Sequence, residues 1–143
     1  MRVKPLSEGT ERSYAIVLDP GEEVMDRLLA FARDFEVDAA RLTALGAFSD
    51  AVLGFFDLDA KDYHRTRVDE QAEVLSLVGD IARKDGEPKL HIHAVLGRRD
   101  ASALGGHLLE AHVQPTLEVI AVVSPAHLRR EIDEATGLPL LVP

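Results

Sequence analysis

Apolar and polar positions alternate with period two along most of this chain, and one stretch near the N-terminus follows a helical period instead. Residues 12–18 read Arg-Ser-Tyr-Ala-Ile-Val-Leu, apolar on both alternating faces, which predicts a strand covered on both sides. Asp19-Pro20-Gly21-Glu22 predicts a helix start: Asp19 caps, Pro20 suits the first helical position and Glu22 has capping-box spacing. Val24, Met25, Leu28, Leu29, Ala32 and Phe35 then recur on one helical face, and the helix should end near Phe35 to Val37.

Beyond that the period returns to two. Strands are expected over 40–44 and 52–58, with a bend at 46–50 between them. The polar alternation of 63–68 suits an edge strand. A long strand over 73–82 and a returning strand over 90–96 flank Asp85-Gly86, a strong hairpin signal. Residues 97–106 read as a loop containing Gly105 and Gly106, residues 107–112 as extended, and 117–124 as the last clear strand. Residues 127–135 have helix propensity with Gly137 as its stop, a short strand being the alternative. The pattern is that of one strand-rich α+β domain with one good helix.

Composition narrows the chemistry. A length of 143 residues matches one domain at about 150 residues each. With 16 Lys+Arg against 25 Asp+Glu, the net charge of −9 argues against coating nucleic acid, which depends on cationic neutralisation of phosphates. It equally disfavours an anionic membrane surface. No apolar run approaches the roughly 18 residues of a membrane span, and the first residues do not resemble a signal peptide, so a cytoplasmic protein is expected. The absence of cysteine removes disulfides, thiolate metal sites and Cys nucleophiles. Six histidines leave an imidazole site open.

The sharpest chemistry lies in Leu90-His91-Ile92-His93-Ala94-Val95-Leu96. Residues two apart share a strand face, so His91 and His93 project together while Leu90, Ile92, Ala94 and Leu96 pack behind them. Two neutral imidazoles on a rigid strand make half of a site for Zn, Fe, Ni or Cu. His107 is the best third ligand, because Gly105-Gly106 before it permits close backbone approach. His112 is an odd number of residues from His107 and should face the other way. The pair alone also fits a polar outward strand face. No Gly-x-Ser-x-Gly elbow, P-loop, dinucleotide fingerprint or zincin helix occurs. Ser76 and Asp80 share a strand face and are candidates to line a pocket. Glu118, in an apolar strand, calls for a partner such as Arg or a metal-bound His.

Several segments together resemble a known family. They are Gly46-Ala47-Phe48-Ser49, Leu53-Gly54-Phe55-Phe56-Asp57, Glu73-Val74-Leu75-Ser76-Leu77-Val78-Gly79-Asp80-Ile81, Pro88-Lys89-Leu90-His91-Ile92-His93, Leu104-Gly105-Gly106-His107-Leu108-Leu109-Glu110 and Pro115-Thr116-Leu117-Glu118-Val119. In this order they resemble the plant and prokaryote conserved (PPC) domain, over about residues 13–134 of a single domain spanning 1–143. The resemblance implies a compact two-layer fold, a mostly antiparallel sheet with one main helix packed on it, assembled as a homotrimer. It also implies that His91, His93 and His107 match a metal-binding motif, with zinc the expected ion and Ser76, Glu110, Thr116 and Glu118 nearby candidates.

Three functions follow as expectations. The first is a homotrimeric metal- or small-ligand-binding regulatory protein. The second is the DNA-binding role attached to the family. Against it stand the net charge of −9 and the lack of an Arg-Gly-Arg-Pro hook in these residues. The third is a metal-dependent enzyme with Glu118 or Glu110 as base, for which no further acid–base constellation is visible.

Overall fold

The computed structural model describes residues 1–8, 12–124 and 128–142. In chain order the elements are β1 (Arg2–Glu8), β2 (Arg12–Leu18), α1 (Val24–Asp34), β3 (Ala40–Asp57), β4 (Asp62–Val68), β5 (Ala72–Lys84), β6 (Glu87–Gly97), β7 (Ala103–Val123), β8 (Arg129–Ile132) and β9 (Pro139–Val142). The fold is α+β, mostly antiparallel sheet with one short helix among the described residues.

Two long strands organise the sheet. The first half of β3 lies between β5 and the second half of β7, and its second half lies between β4 and the first half of β7. β6 pairs with β5 on one side and with the start of β7 on the other, so β3, β5, β6 and β7 pair in a closed cycle. β2 extends the sheet beyond β7, β1 flanks β2, and β4 pairs only with β3, as its polar alternation predicts.

The helix packs on β6 and β7 and closes the core. Val24, Leu28, Phe31 and Ala32 are its buried face, and Met25, Leu29 and Phe35 pack partly buried at its margin. Phe31 and Phe35 both meet the Tyr14 ring edge-on, at 5.2 and 5.4 Å. The helix starts later than its sequence signal. Glu23 is the N-cap, its carboxylate accepting from Asp26 N at 2.7 Å, while Asp19 N donates to Glu22 within the preceding turn.

Other expectations are corrected. In β2 only Tyr14, Ile16 and Leu18 are buried; the alternate face is half-covered. The expected bend at 46–50 is the middle of β3, where bulges turn the strand without ending it. Gly46 makes this bend feasible: its φ is +154°, and a Cβ there would meet Thr116 O at 2.3 Å. Gly105 and Gly106 are not in a loop but in β7, because the β6–β7 connection is short and pairing resumes at Ala103. Over 127–135, where helix propensity stood against a short strand, residue 127 lies outside the described residues and the strand alternative forms: Arg129–Ile132 is β8, paired with β9 across a turn in which Asp133 accepts from Thr136 and Gly137 takes φ +76°. β8 buries Arg130 between exposed neighbours, and its pairing with β9 overrides the local helix propensity.

Candidate metal centre

Leu90, Ile92, Ala94 and Leu96 are 6% exposed or less, so His91 and His93 project from the opposite face of β6. β6 and β7 pair with His93 opposite His107, which places two imidazoles across the ladder and the third one step along it. Gly106 lets the strands close up: a Cβ there would stand 2.9 Å from Gly54 O of β3. Gly105 needs no such exemption, since its nearest neighbour would be 3.5 Å away.

The three rings converge. Centroids are 5.0 Å apart for His91–His93 and His91–His107, and 5.3 Å for His93–His107. One nitrogen from each lies within 4.8 Å of the others, and the Nε2 atoms of His91 and His93 are 3.2 Å apart. Nitrogens bound to one tetrahedral ion at about 2.0–2.1 Å stand about 3.4 Å apart, so the pair already has the spacing of shared coordination. Burial holds the His91 imidazole below its ordinary pKa, helped by the positive charges of Arg130 and His93 and opposed by Asp80. Burial also pushes His107 down to about 4, with His91, His93, Lys89 and Arg130 adding to the effect. Converging imidazoles that resist protonation present lone pairs, which is the donor set a divalent transition ion takes.

A cavity of about 350 Å³ opens beside His91 and His107. Tyr63 stands in its wall, its ring 5.0 Å from His107 and held by Phe56 at 5.1 Å. Gly54 makes room for that ring, since a Cβ there would meet Tyr63 Cδ1 at 2.7 Å. Arg130 also lines the cavity; its Nη2 donates to Asp80 Oδ1 at 2.6 Å and its Nη1 to Pro139 O at 3.0 Å. Asp80 is in turn the register partner of His91.

The remaining candidates lie elsewhere. Ser76 is exposed on the face of His93, opposite Val95. Glu118 is exposed on β7, eleven residues beyond His107, and has no need of a buried partner. Thr116 lies near the β3 bend, its hydroxyl 3.5 Å from Leu18 O. Glu110 is exposed and acts on His112. Neither Glu110 nor Glu118 is among the charges that shift His91 or His107.

Sequence reasoning missed Lys89, Arg130 and the pair His112–Asp50. His112 Nδ1 and Asp50 Oδ1 are 2.8 Å apart, and Ser49 Oγ donates to Asp50 Oδ2 at 2.7 Å. Arg130 carries no local signal, because its partner is 50 residues away in sequence.

The chain is similar to the metal-containing protein AF0104 from Archaeoglobus fulgidus, with 35% identity, TM-score 0.85, and coverage of 92% of this chain and 93% of that one. A protein of Ralstonia eutropha, provisionally named DNA-binding, shares 29% identity at TM-score 0.88, with 98% and 96% covered. A plant- and prokaryote-conserved protein of Pyrococcus horikoshii has the same fold, with TM-score 0.87, 24% identity, and 99% and 95% covered. Among curated proteins, the bifunctional protein GlmU of Synechococcus sp. (strain JA-3-3Ab) is 32% identical over 139 residues, which are 95% of this chain. The chain spans about a fifth (21%) of that relative's length. Among the described residues no helix is long and apolar enough to cross a membrane. The model of the Plants and Prokaryotes Conserved (PCC) domain matches residues 6–125, and the chain belongs to that family.

Proposed function

We propose that this protein is a metal-binding PCC-domain protein in which His91, His93 and His107 hold one divalent transition ion, with zinc the best fit. The convergence of three imidazoles, with ligand nitrogens within 4.8 Å of one another, carries this reading. The 35% identity to a protein described as metal-containing supports it. Three imidazoles leave a coordination position free, and an ion held there supplies Lewis-acid binding of a small ligand. The role that follows is regulatory ligand binding at that ion.

The working unit is a homotrimer. Leu45, Leu75, Val78, Val95 and Ile120 are each 40% exposed or more on the outer sheet face. Ile120, Thr43, Val78 and His93 follow one another across β7, β3, β5 and β6, so the apolar strip runs up to the triad. A strip of this kind is what a second copy covers. DNA binding, the name some structural neighbours carry, has the net charge of −9 against it.

Metal analysis of the purified untagged protein tests the central claim. About one divalent ion per chain is expected, falling to about a tenth or less in His91→Ala and His107→Ala. Unchanged metal in both variants would sink the assignment.

A further inference from the structure

We propose that the cavity beside the triad takes a small organic anion, a carboxylate with an apolar body, drawn in by Lys89 and Arg130. The inference rests on the metal reading, because the carboxylate would lie beside the ion.

The first argument is charge. Lys89 and Arg130 line the cavity, and among the described residues no Asp or Glu does. This is a cationic wall in a chain of net charge −9. Asp80 balances Arg130 from outside the lining, and Lys89 then remains, before any ion adds its own positive charge. Such a surplus selects an anion and rejects a cation or a neutral isostere.

The second argument is the state of Arg130. The residue is 7% exposed, two of its nitrogens are committed to Asp80 and Pro139, and its Nε has no hydrogen-bond partner among the described residues. A guanidinium held this rigidly in the lining acts as a fixed positive charge beside the cavity. Lys89 is exposed and lies on the His91 side of β6, so its ammonium is the group free to meet the ligand.

The third argument is shape. Most of the remaining lining is apolar, including Leu109 and, from the β8–β9 hairpin that also carries Arg130, Leu138, Pro139 and Leu140. Leu140 is 44% exposed, unfinished apolar surface that an inorganic anion would not cover. The volume of about 350 Å³ is at the small end for ligand sites. One carboxylate head on the cationic groups and one apolar body on these side chains account for both parts of the lining.

The test uses cobalt(II) as the metal and benzoate as the probe, with benzyl alcohol and inorganic phosphate alongside. Cobalt-loaded protein should show its visible bands moved by benzoate, with benzyl alcohol and phosphate weaker by about tenfold, the value of one charge-assisted contact. Lys89→Met should keep its cobalt and weaken benzoate about tenfold; Leu140→Asp should also keep cobalt and weaken benzoate. Full cobalt loading with bands that millimolar benzoate leaves unmoved, or an unaltered benzoate affinity in Lys89→Met, overturns the proposal. Bands moved as strongly by phosphate would show an anion site without the apolar half and overturn the carboxylate assignment. Should no cobalt bind, the metal reading fails by itself. Methyl NMR of Leu138 and Leu140 in metal-free protein then decides: benzoate shifts that Lys89→Met abolishes sustain the anion pocket, and no shifts refute it.

Discussion

Arg130 Nη2 donates to Asp80 Oδ1 at 2.6 Å, tying the C-terminal hairpin to the strand that carries the register partner of His91. The Arg130 side chain is 5% exposed and that of Asp80 25%, so the pair is largely withdrawn from water. Removing one partner of such a pair leaves the other charge buried and uncompensated. Asp80→Ala should therefore lose about 3 kcal/mol in urea unfolding, at the low end of the range because Asp80 keeps some solvent. A loss below about 1 kcal/mol would mean that the pair is no more than a surface ion pair.

The Asp50–His112 pair sets a pH window. Its hydrogen bond to Asp50 raises the His112 pKa above the ordinary 6.5, and the same bond holds Asp50 below 3.8. A raised histidine contributes stability fully below the unfolded value, and that contribution is lost as pH rises through the folded value. A lowered carboxylate contributes above the unfolded value and is lost as pH falls through the folded one. The pair therefore supports the fold most from about pH 4 to pH 6.5. NMR titration should find the His112 midpoint above 6.5, and Asp50→Asn should bring it down. A midpoint unmoved by Asp50→Asn would rule the pairing out.

Metal should stabilise the folded chain measurably. An ion that binds only the native state at 100 times its Kd adds about 2.7 kcal/mol. For a domain of this size that raises Tm by roughly 5–10 °C. Differential scanning with zinc against chelator should show the rise in the parent and not in His93→Ala. An equal rise in both would assign the zinc effect to another place.

Two adjacent glycines should differ sharply. Gly106→Ala drives a Cβ to 2.9 Å from Gly54 O, so β7 and β3 must separate at the triad. A stability loss of about 1–3 kcal/mol is expected, with weakened metal binding. Gly105→Ala meets nothing closer than 3.5 Å and should stay within about 0.5 kcal/mol of the parent. Equal effects would contradict the register of β7 on β3.

The outer strip should control self-association. Leu45 is 62% exposed and Ile120 41% on the outer sheet face. Light scattering should give the mass of a trimer for the parent and a smaller mass for Leu45→Glu combined with Ile120→Lys. A monomeric parent at micromolar concentration would remove the homotrimer from the proposed function.

Much of the site was legible because its geometry is local. The alternation through Leu90, Ile92, Ala94 and Leu96 settles which way His91 and His93 face, since a buried strand face admits one register. The Asp85-Gly86 turn was legible for the same reason, both residues taking positive φ, at 52° and 85°. His112 stands outside the triad, paired with Asp50, and the chain between it and His107 crosses a bulge. Val52 pairs with Glu110 and Leu53 with Leu108, leaving Leu109 without a partner. Of the two alternatives over 127–135, the short strand forms rather than the helix, because local propensity is weak beside strand pairing with β9.

By itself, then, the sequence determined the strand-rich α+β class, the hairpin that presents two histidines and the exclusion of thiolate chemistry. These depend on residue type and on periods a few residues long. The tertiary structure alone decided that His107 faces His93 across the ladder, that Tyr63 of the same chain closes over it, and that Arg130 and Lys89 make the adjoining wall cationic. Those relations depend on register between strands distant in sequence, which bulges and close glycine contacts shift one residue at a time.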